Sequence, residues 1–196
     1  MQKIPSLYVR DPETRAFVTR EVHERCQWVI AGEGTATVKW DGTCVRLDED
    51  GQWWTRHQVK PGKAVPPRYV PVEHDPVTGR TQGWIPAETS GYRAFLDEAI
   101  GNAGGYEWVP GTYELIGPKI GGNPHGYPEH ELVPHGVTSL PDVPTEYDAL
   151  ASWLRAMNDG DEFAPGGIYL EGVVWHHPDG RMAKIKTKDF RVTADA

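Results

Sequence analysis

Glycine and proline punctuate this sequence from end to end: 22 Gly and 17 Pro fall among 196 residues. Few uninterrupted stretches are long enough for a helix, so the chain reads as short strands joined by many turns. "TATVKW", "TCVRLDE" and "QWWTRH" alternate apolar and polar residues as half-buried strands do, and "DG" turns separate them. The segment from Val59 to Pro86 is rich in Pro and Gly and lacks a period, so it is expected to be mostly loop with short strands. Ser90 can cap a helix running to about Ala103, with Tyr92, Phe95, Leu96 and Ala99 on one face and Gly104 and Gly105 ending it.

"GTYELIG" then reads as a strand, residues 118–130 as a Gly/Pro loop, and "ELVPHG" as another strand. Thr145 opens a second expected helix, with Asp148 as a weak capping-box partner. Its stripe is Leu150, Trp153, Leu154 and Met157, and Gly160 ends it. "GIYLEGVVWHH" and "RMAKIKTKDF", joined by "PDG", form a strong hairpin signal. Many strands with two helices give an α+β class of antiparallel sheets flanked by helices. A chain of this length is expected to be one domain over 1–196, with a core over 31–190 and an N-terminal segment over 1–30 that guides a ligand or only packs.

Composition narrows the function. Hydrophobic residues make up 38% and charged residues 24%, which fits a globular chain. No apolar run is long enough to cross a bilayer, and the N-terminus carries charges where a signal peptide needs an apolar stretch. Only Cys26 and Cys44 occur, which excludes a disulfide framework and fits a reducing compartment. A cytoplasmic protein with no membrane and no obligate protein partner is the expectation. The net charge of −8 argues against non-specific coating of nucleic acid but leaves room for a small basic pocket.

Lys184, Lys186 and Lys188 lie two apart, so on a strand they share a face. Such lysines commonly protect an edge strand. Their hairpin partner carries Glu171 before the apolar "GVVW", which suggests either a cross-strand ion pair or a site for metal and phosphate. Glu114 sits inside "YELIG", placed for solvent or for the hydroxyls of a ribose. Lys39 stands at the end of an alternating strand, followed by Asp41 and Gly42, a good turn dipeptide. His125, His130 and His135 are spaced by five, which suits no regular metal motif. The eight tryptophans read mainly as core; of the adjacent Trp53 and Trp54, one must face outward. Cys44 reads as a small core residue rather than a nucleophile.

Four of these pieces occur in a known order. Lys39-Trp40-Asp41-Gly42, Tyr113-Glu114-Leu115-Ile116-Gly117, Glu171-Gly172-Val173-Val174 and Lys184-Ile185-Lys186 resemble motifs I, III, IV and V of the covalent nucleotidyltransferases. Within that superfamily, "KWDGTC", "ELIG…GNPHGY…PHG" and "EGVVWH…GRMAKIK" resemble the small family of ATP-dependent RNA ligases that includes the human 5′–3′ RNA ligase. DNA ligases commonly carry an arginine where Cys44 stands; here Arg46 comes later. The sequence stops soon after the motif V lysines, so no C-terminal OB domain is expected.

The resemblance implies a nucleotidyltransferase core, ATP-grasp-like in kind, that joins 5′-phosphate and 3′-hydroxyl ends of RNA in a repair role. It implies ATP and Mg²⁺ (or Mn²⁺) as cofactors and AMP carried covalently on Lys39. A free lysine has a pKa near 10.4, so about 4.6 kcal/mol is needed to populate its neutral form at pH 7. The charges of Lys184 and Lys186 would lower that cost and neutralise the phosphates. The implied nucleotide-binding set is Val38, Lys39, Asp41, Gly42, Arg56, Glu114, His135, Glu171, Lys184 and Lys186, with Thr37 and Val38 offering backbone groups to adenine. Glu114 would take the ribose, Glu171 the metal or the ribose, and Asp41 would orient Lys39 or help hold metal. His130, Leu132 and His135 are candidates to stack on the base, and Arg56 is read equally as a phosphate or sugar contact or as an exposed charge. Rival readings are transfer to another acceptor, as in DNA ligases or capping enzymes, and a nucleotide-binding module without catalysis.

Overall fold

The computed structural model describes residues 3–159 and 169–191. In chain order the elements are β1 (Tyr8–Arg10), β2 (Val18–Val22), α1 (Gln27–Ile30), β3 (Thr35–Lys39), β4 (Thr43–Leu47), β5 (Trp53–Val59), β6 (Val70–Asp75), β7 (Arg80–Pro86), α2 (Arg93–Asn102), β8 (Gly111–Ile116), β9 (Glu131–Pro134), α3 (Tyr147–Asp159), β10 (Gly172–His176) and β11 (Met182–Lys186). All pairings between these strands are antiparallel. With three helices, one of them a single turn, the class is α+β as expected. No helix among the described residues is long and apolar enough to cross a membrane.

The described residues fall into two compact units. One comprises 41–135 with Lys3; the other comprises 4–40 and the described residues from 136 onward. The first is a six-stranded sheet in the order β6-β7-β5-β4-β8-β9. Alternate residues Val45, Leu47, Tyr113, Leu115 and Leu132 leave one face of the sheet and bury themselves with Leu96 and Ala99 of α2. Trp53 joins this core beside Trp108 and Tyr113. The opposite face carries mainly polar and aromatic side chains, among them Arg46, Trp54, Thr112 and Glu114.

The second unit holds a three-stranded sheet, β11-β10-β3, and a two-stranded sheet, β1-β2. Val38, Val173, Trp175, Ala183 and Ile185 are buried on one face of the larger sheet. The outer edge of β3 is not open. Val38 N–H donates to Thr138 O, and Leu140 N–H donates to Ala36 O. In α3, Leu150 and Leu154 are fully buried, as the i, i+4 spacing requires.

Several local expectations are corrected. Asp41-Gly42 does not turn β3 back onto β4: β3 pairs only with β10, and β4 pairs with β5 and β8. Gly42 serves close packing, because a Cβ there would lie 2.3 Å from Leu115 O. The short strands expected within 59–86 are present and pair as the β6-β7 hairpin, longer than a mostly-loop segment implies. Its signal was obscured by Pro71 and Gly83, which pair at the point where the register shifts.

The helix expected from Ser90 begins at Arg93. Ser90 Oγ instead accepts from Tyr92 N–H in a local turn, and Tyr92 is exposed rather than on the buried stripe. The helix α3 begins at Tyr147, not Thr145, and Glu146 caps it by accepting from Ala149 N–H. Asp148 pairs with Arg20 rather than closing a capping box. Lys188 leaves the strand face, because the chain enters a 3-10 turn at Thr187–Asp189. Gly160, Gly167 and Ile168, expected to end a helix and open a strand, lie outside the described residues.

Candidate active site

In the second unit, register places three residues in a row. Gly172 of β10 is opposite Lys39 of β3 on one side and opposite Lys186 of β11 on the other. Directly opposed residues share a face, so the two lysines flank a position that has no side chain. Across two strand spacings their backbones are roughly 10 Å apart. Lys184 opposes Val174 two residues on, and projects from the same face. Glycine at 172 is required by space as well. A Cβ would lie 2.0 Å from Ile185 O.

Glu171 precedes this row and completes it. Both Lys39 Nζ and Lys186 Nζ donate to its carboxylate, one to each oxygen. The carboxylate is only 3% exposed. Burial alone would push the Glu171 pKa up, but the charges and hydrogen bonds of Lys39 and Lys186 outweigh it and hold the pKa below the ordinary value. Among the described residues Lys184 makes no such direct ion pair, although the charges of Glu171 and Asp189 act on it. Burial, then the ammonium charges of Lys39 and Lys186, lower its pKa to about 8. Three amines and one carboxylate leave this face net positive at pH 7, which suits a polyanion.

The position of Glu171 is fixed from behind. Asn158 of α3 clamps Leu170, donating from Nδ2 to Leu170 O at 3.0 Å and accepting Leu170 N–H at 2.8 Å. Thr187 N–H donates to Glu171 O at 2.9 Å. Asp189 is buried, accepts the Lys186 N–H at 3.0 Å and pairs with Arg10 at 2.7 Å.

The polar face of the 41–135 unit carries the other expected residues. Cys44 opposes Glu114, Arg46 opposes Thr112 and Trp54, and Arg56 opposes Trp84. Glu114 Oε1 accepts Gly42 N–H at 3.1 Å, and Glu114 Oε2 lies 2.8 Å from His135 Nε2. His135 Nδ1 is 2.9 Å from Thr112 Oγ1. Asp41 N–H donates to His125 Nε2 at 2.9 Å. The guanidinium of Arg46 lies over the rings of Trp54 and Trp84, 5.7 and 5.5 Å from their centroids. Arg56 Nε is 3.5 Å from Gln82 Oε1.

Lys39, Glu171, Lys184 and Lys186 therefore meet on one sheet face in one unit. Gly42, Glu114 and His135 meet in the other. Val38 shares β3 with Lys39 but faces the core, and its N–H is already donated to Thr138. Of the three base-stacking candidates, His130 stacks on Phe95 and Leu132 is in the core. His135 is the one on the polar face. Trp54, not Trp53, is the outward tryptophan. Cys44 is on the polar face as well, not in the core; alternation from the buried Val45 was the signal that could have placed it. Asn158 and Thr112 were not foreseen. Asn158 acts through Leu170 and Thr187 and Thr112 through His135, and nothing in their local sequence marks that.

A family model described as RNA ligase 1 matches residues 106–193. The sequence is 28% identical to RNA ligase 1 of Danio rerio over 162 residues, 68% of this chain and 45% of that protein. It is 38% identical to RNA ligase 1 of Rattus norvegicus and 36% identical to that of Mus musculus, each over 85 residues, 40% of this chain and 24% of the relative. The chain thus spans less than half the length of these curated relatives. The family-model match takes in Glu114, His135, Glu171, Lys184 and Lys186, while Lys39 precedes it. The chain resembles the RNA ligase 1 family.

Proposed function

We propose that this chain carries the nucleotidyl-transfer chemistry of an ATP-dependent RNA ligase. The observation that carries the reading is the convergence of Lys39, Lys184 and Lys186 around one buried carboxylate on a single sheet face. The resemblance to RNA ligase 1 proteins supports RNA as the acceptor.

In this reading the Lys39 amine attacks the α-phosphorus of ATP. The bond to the β-phosphate oxygen breaks, pyrophosphate departs, and AMP remains on Nζ. The AMP then passes to the 5′-phosphate of an RNA end, freeing the lysine. A 3′-hydroxyl attacks that activated phosphate and expels AMP. Lys184 and Lys186 neutralise phosphate charge in each transfer. Lys39 must give up a proton before it attacks, and Glu171 is the carboxylate that touches it. Glu114 and His135 are assigned to the ribose, Gly42 to close backbone approach, Arg56 to sugar or phosphate, and Asp41 to helping hold the metal.

Glu171 fits poorly as a ready-made Mg²⁺ ligand: it is buried and each of its oxygens accepts from an ammonium group. Mg²⁺ or Mn²⁺ is therefore proposed to arrive on the triphosphate, where it supplies charge neutralisation.

The test is incubation with Mg²⁺ and ATP radiolabelled on the α-phosphate, followed by denaturing electrophoresis. Label retained on the protein from ATP and not from GTP supports the reading. Joining of 5′-phosphorylated RNA, but not DNA, then fixes the acceptor. A protein that binds ATP yet retains no label is a binding module, and the proposal fails.

A further inference from the structure

The polar face of the 41–135 unit holds a donor set whose thiol, that of Cys44, nucleotide chemistry does not require. Cys44 Sγ, a carboxylate oxygen of Glu114 and a ring nitrogen of His135 all lie within 4.8 Å of one another. They come from β4, from β8 and from just beyond β9, three neighbouring strands whose register brings them together. A tetrahedral zinc centre needs such donors about 3.5 Å apart, so Cys44 Sγ would have to draw in by at most roughly 1 Å while the Glu114–His135 pair, 2.8 Å apart, opens slightly.

The surroundings are arranged as a metal site's would be. Thr112 Oγ1 at 2.9 Å from His135 Nδ1 can hold a proton there and leave Nε2 to coordinate. Gly42 N–H fixes Glu114 Oε1 and leaves Oε2 aimed at His135 Nε2, 2.8 Å away, where a cation can replace the shared proton. One thiolate, one imidazole and one carboxylate suit a borderline-soft ion and not Mg²⁺ or Ca²⁺. The geometry points to a site for a zinc-class divalent transition metal at Cys44, Glu114 and His135, with three protein donors and a fourth position open. Occupancy takes Glu114 away from the ribose, so the ion acts as a brake on nucleotide binding. That consequence, unlike the site itself, rests on the ligase reading.

Cobalt(II) is the probe, titrated into the full chain. Thiolate-to-cobalt charge transfer and strong tetrahedral ligand-field bands are expected at one equivalent, lost on adding zinc. The chain has only two cysteines, and Cys26 is buried with its pKa pushed up to about 11 by burial. Cys26→Ser should therefore keep the charge-transfer band and Cys44→Ser should lose it. Thr112→Val keeps all three donors and should weaken cobalt binding roughly 10-fold. No charge-transfer band in the wild type, or a band that survives Cys44→Ser, overturns the site. In the label-transfer assay, zinc should raise the ATP concentration needed by the wild type and leave Cys44→Ser unaffected; equal zinc sensitivity in both overturns the brake. Absence of label transfer without zinc counts against the ligase reading alone, and the cobalt spectrum still decides the site.

Discussion

Lys39 and Lys186 stand on either side of Gly172 and end on the two oxygens of the same carboxylate, that of Glu171. The pair is held by a sheet register rather than by a loop, so each amine has a fixed place in the free chain. The two lysines end their strands differently. Lys39 ends β3 and precedes the step to the other unit by two residues, while Lys186 begins the turn capped by Asp189.

If Lys39 carries AMP, no other amine on this face should replace it. Lys39→Ala is expected to reduce covalent labelling by ATP to background while thermal unfolding stays cooperative. Lys39→Arg should be equally inactive, since a guanidinium keeps its proton at any working pH. Labelled protein in either variant, mapped by peptide mass to another lysine, would move the nucleophile elsewhere.

Gly172 is a structural requirement of the same row. Gly172→Ala sets a Cβ 2.0 Å from Ile185 O, a backbone atom that cannot rotate away. The strands must part or shift. We expect a stability loss of about 3 kcal/mol, read by urea unfolding, together with loss of labelling. An alanine variant as stable as the wild type would mean that β10 and β11 are not in this register.

Much of this face was legible in the sequence because strand periodicity is exact. Lys39 at the end of "TATVK" and Lys184 and Lys186 two apart in "MAKIK" declare their common face without reference to any partner. What periodicity could not show is where a strand ends. Lys188 has the right spacing, yet the Asp189 carboxylate takes the Lys186 N–H and turns the backbone before Lys188 is reached. Asp41-Gly42 misled for a related reason. The dipeptide has turn chemistry, but the glycine is needed where the chain passes Leu115 O. The trio of Cys44, Glu114 and His135 was invisible because β4 and β8 are adjacent in the sheet yet far apart in the chain, and His135 lies just beyond β9.

Glu171 gives a stability prediction with a definite sign. Its pKa is depressed in the folded chain, so its contribution is present above the ordinary carboxylate value of 4.5 and is lost as pH falls through the lower folded value. Removing the charge leaves two ammonium groups facing each other with no counter-ion. Glu171→Gln is expected to cost about 3 kcal/mol at pH 7 and to flatten the acid limb of the stability profile. Denaturant unfolding of both proteins from neutral pH to about pH 3 measures this. An unchanged acid limb would show that the carboxylate is not engaged as described.

Lys184 behaves in the opposite way. Its pKa is about 8 in the folded chain against an ordinary 10.5, because burial and the neighbouring Lys39 and Lys186 charges disfavour its ammonium form. Below about pH 8 both folded and unfolded chains carry the proton, and folding bears the cost of burying it. Between about 8 and 10.5 the folded chain has released the proton while the unfolded chain retains it, so stability from this group rises with pH. Relative to Lys184→Met, the wild type should gain up to about 3 kcal/mol across that window. Polyanion binding should move the other way, weakening in the wild type as pH passes about 8 and the face loses one positive charge. Parallel pH series of denaturant unfolding and of tripolyphosphate binding check the two signs together. A stability gain with no loss of tripolyphosphate affinity would place Lys184 away from the phosphate path.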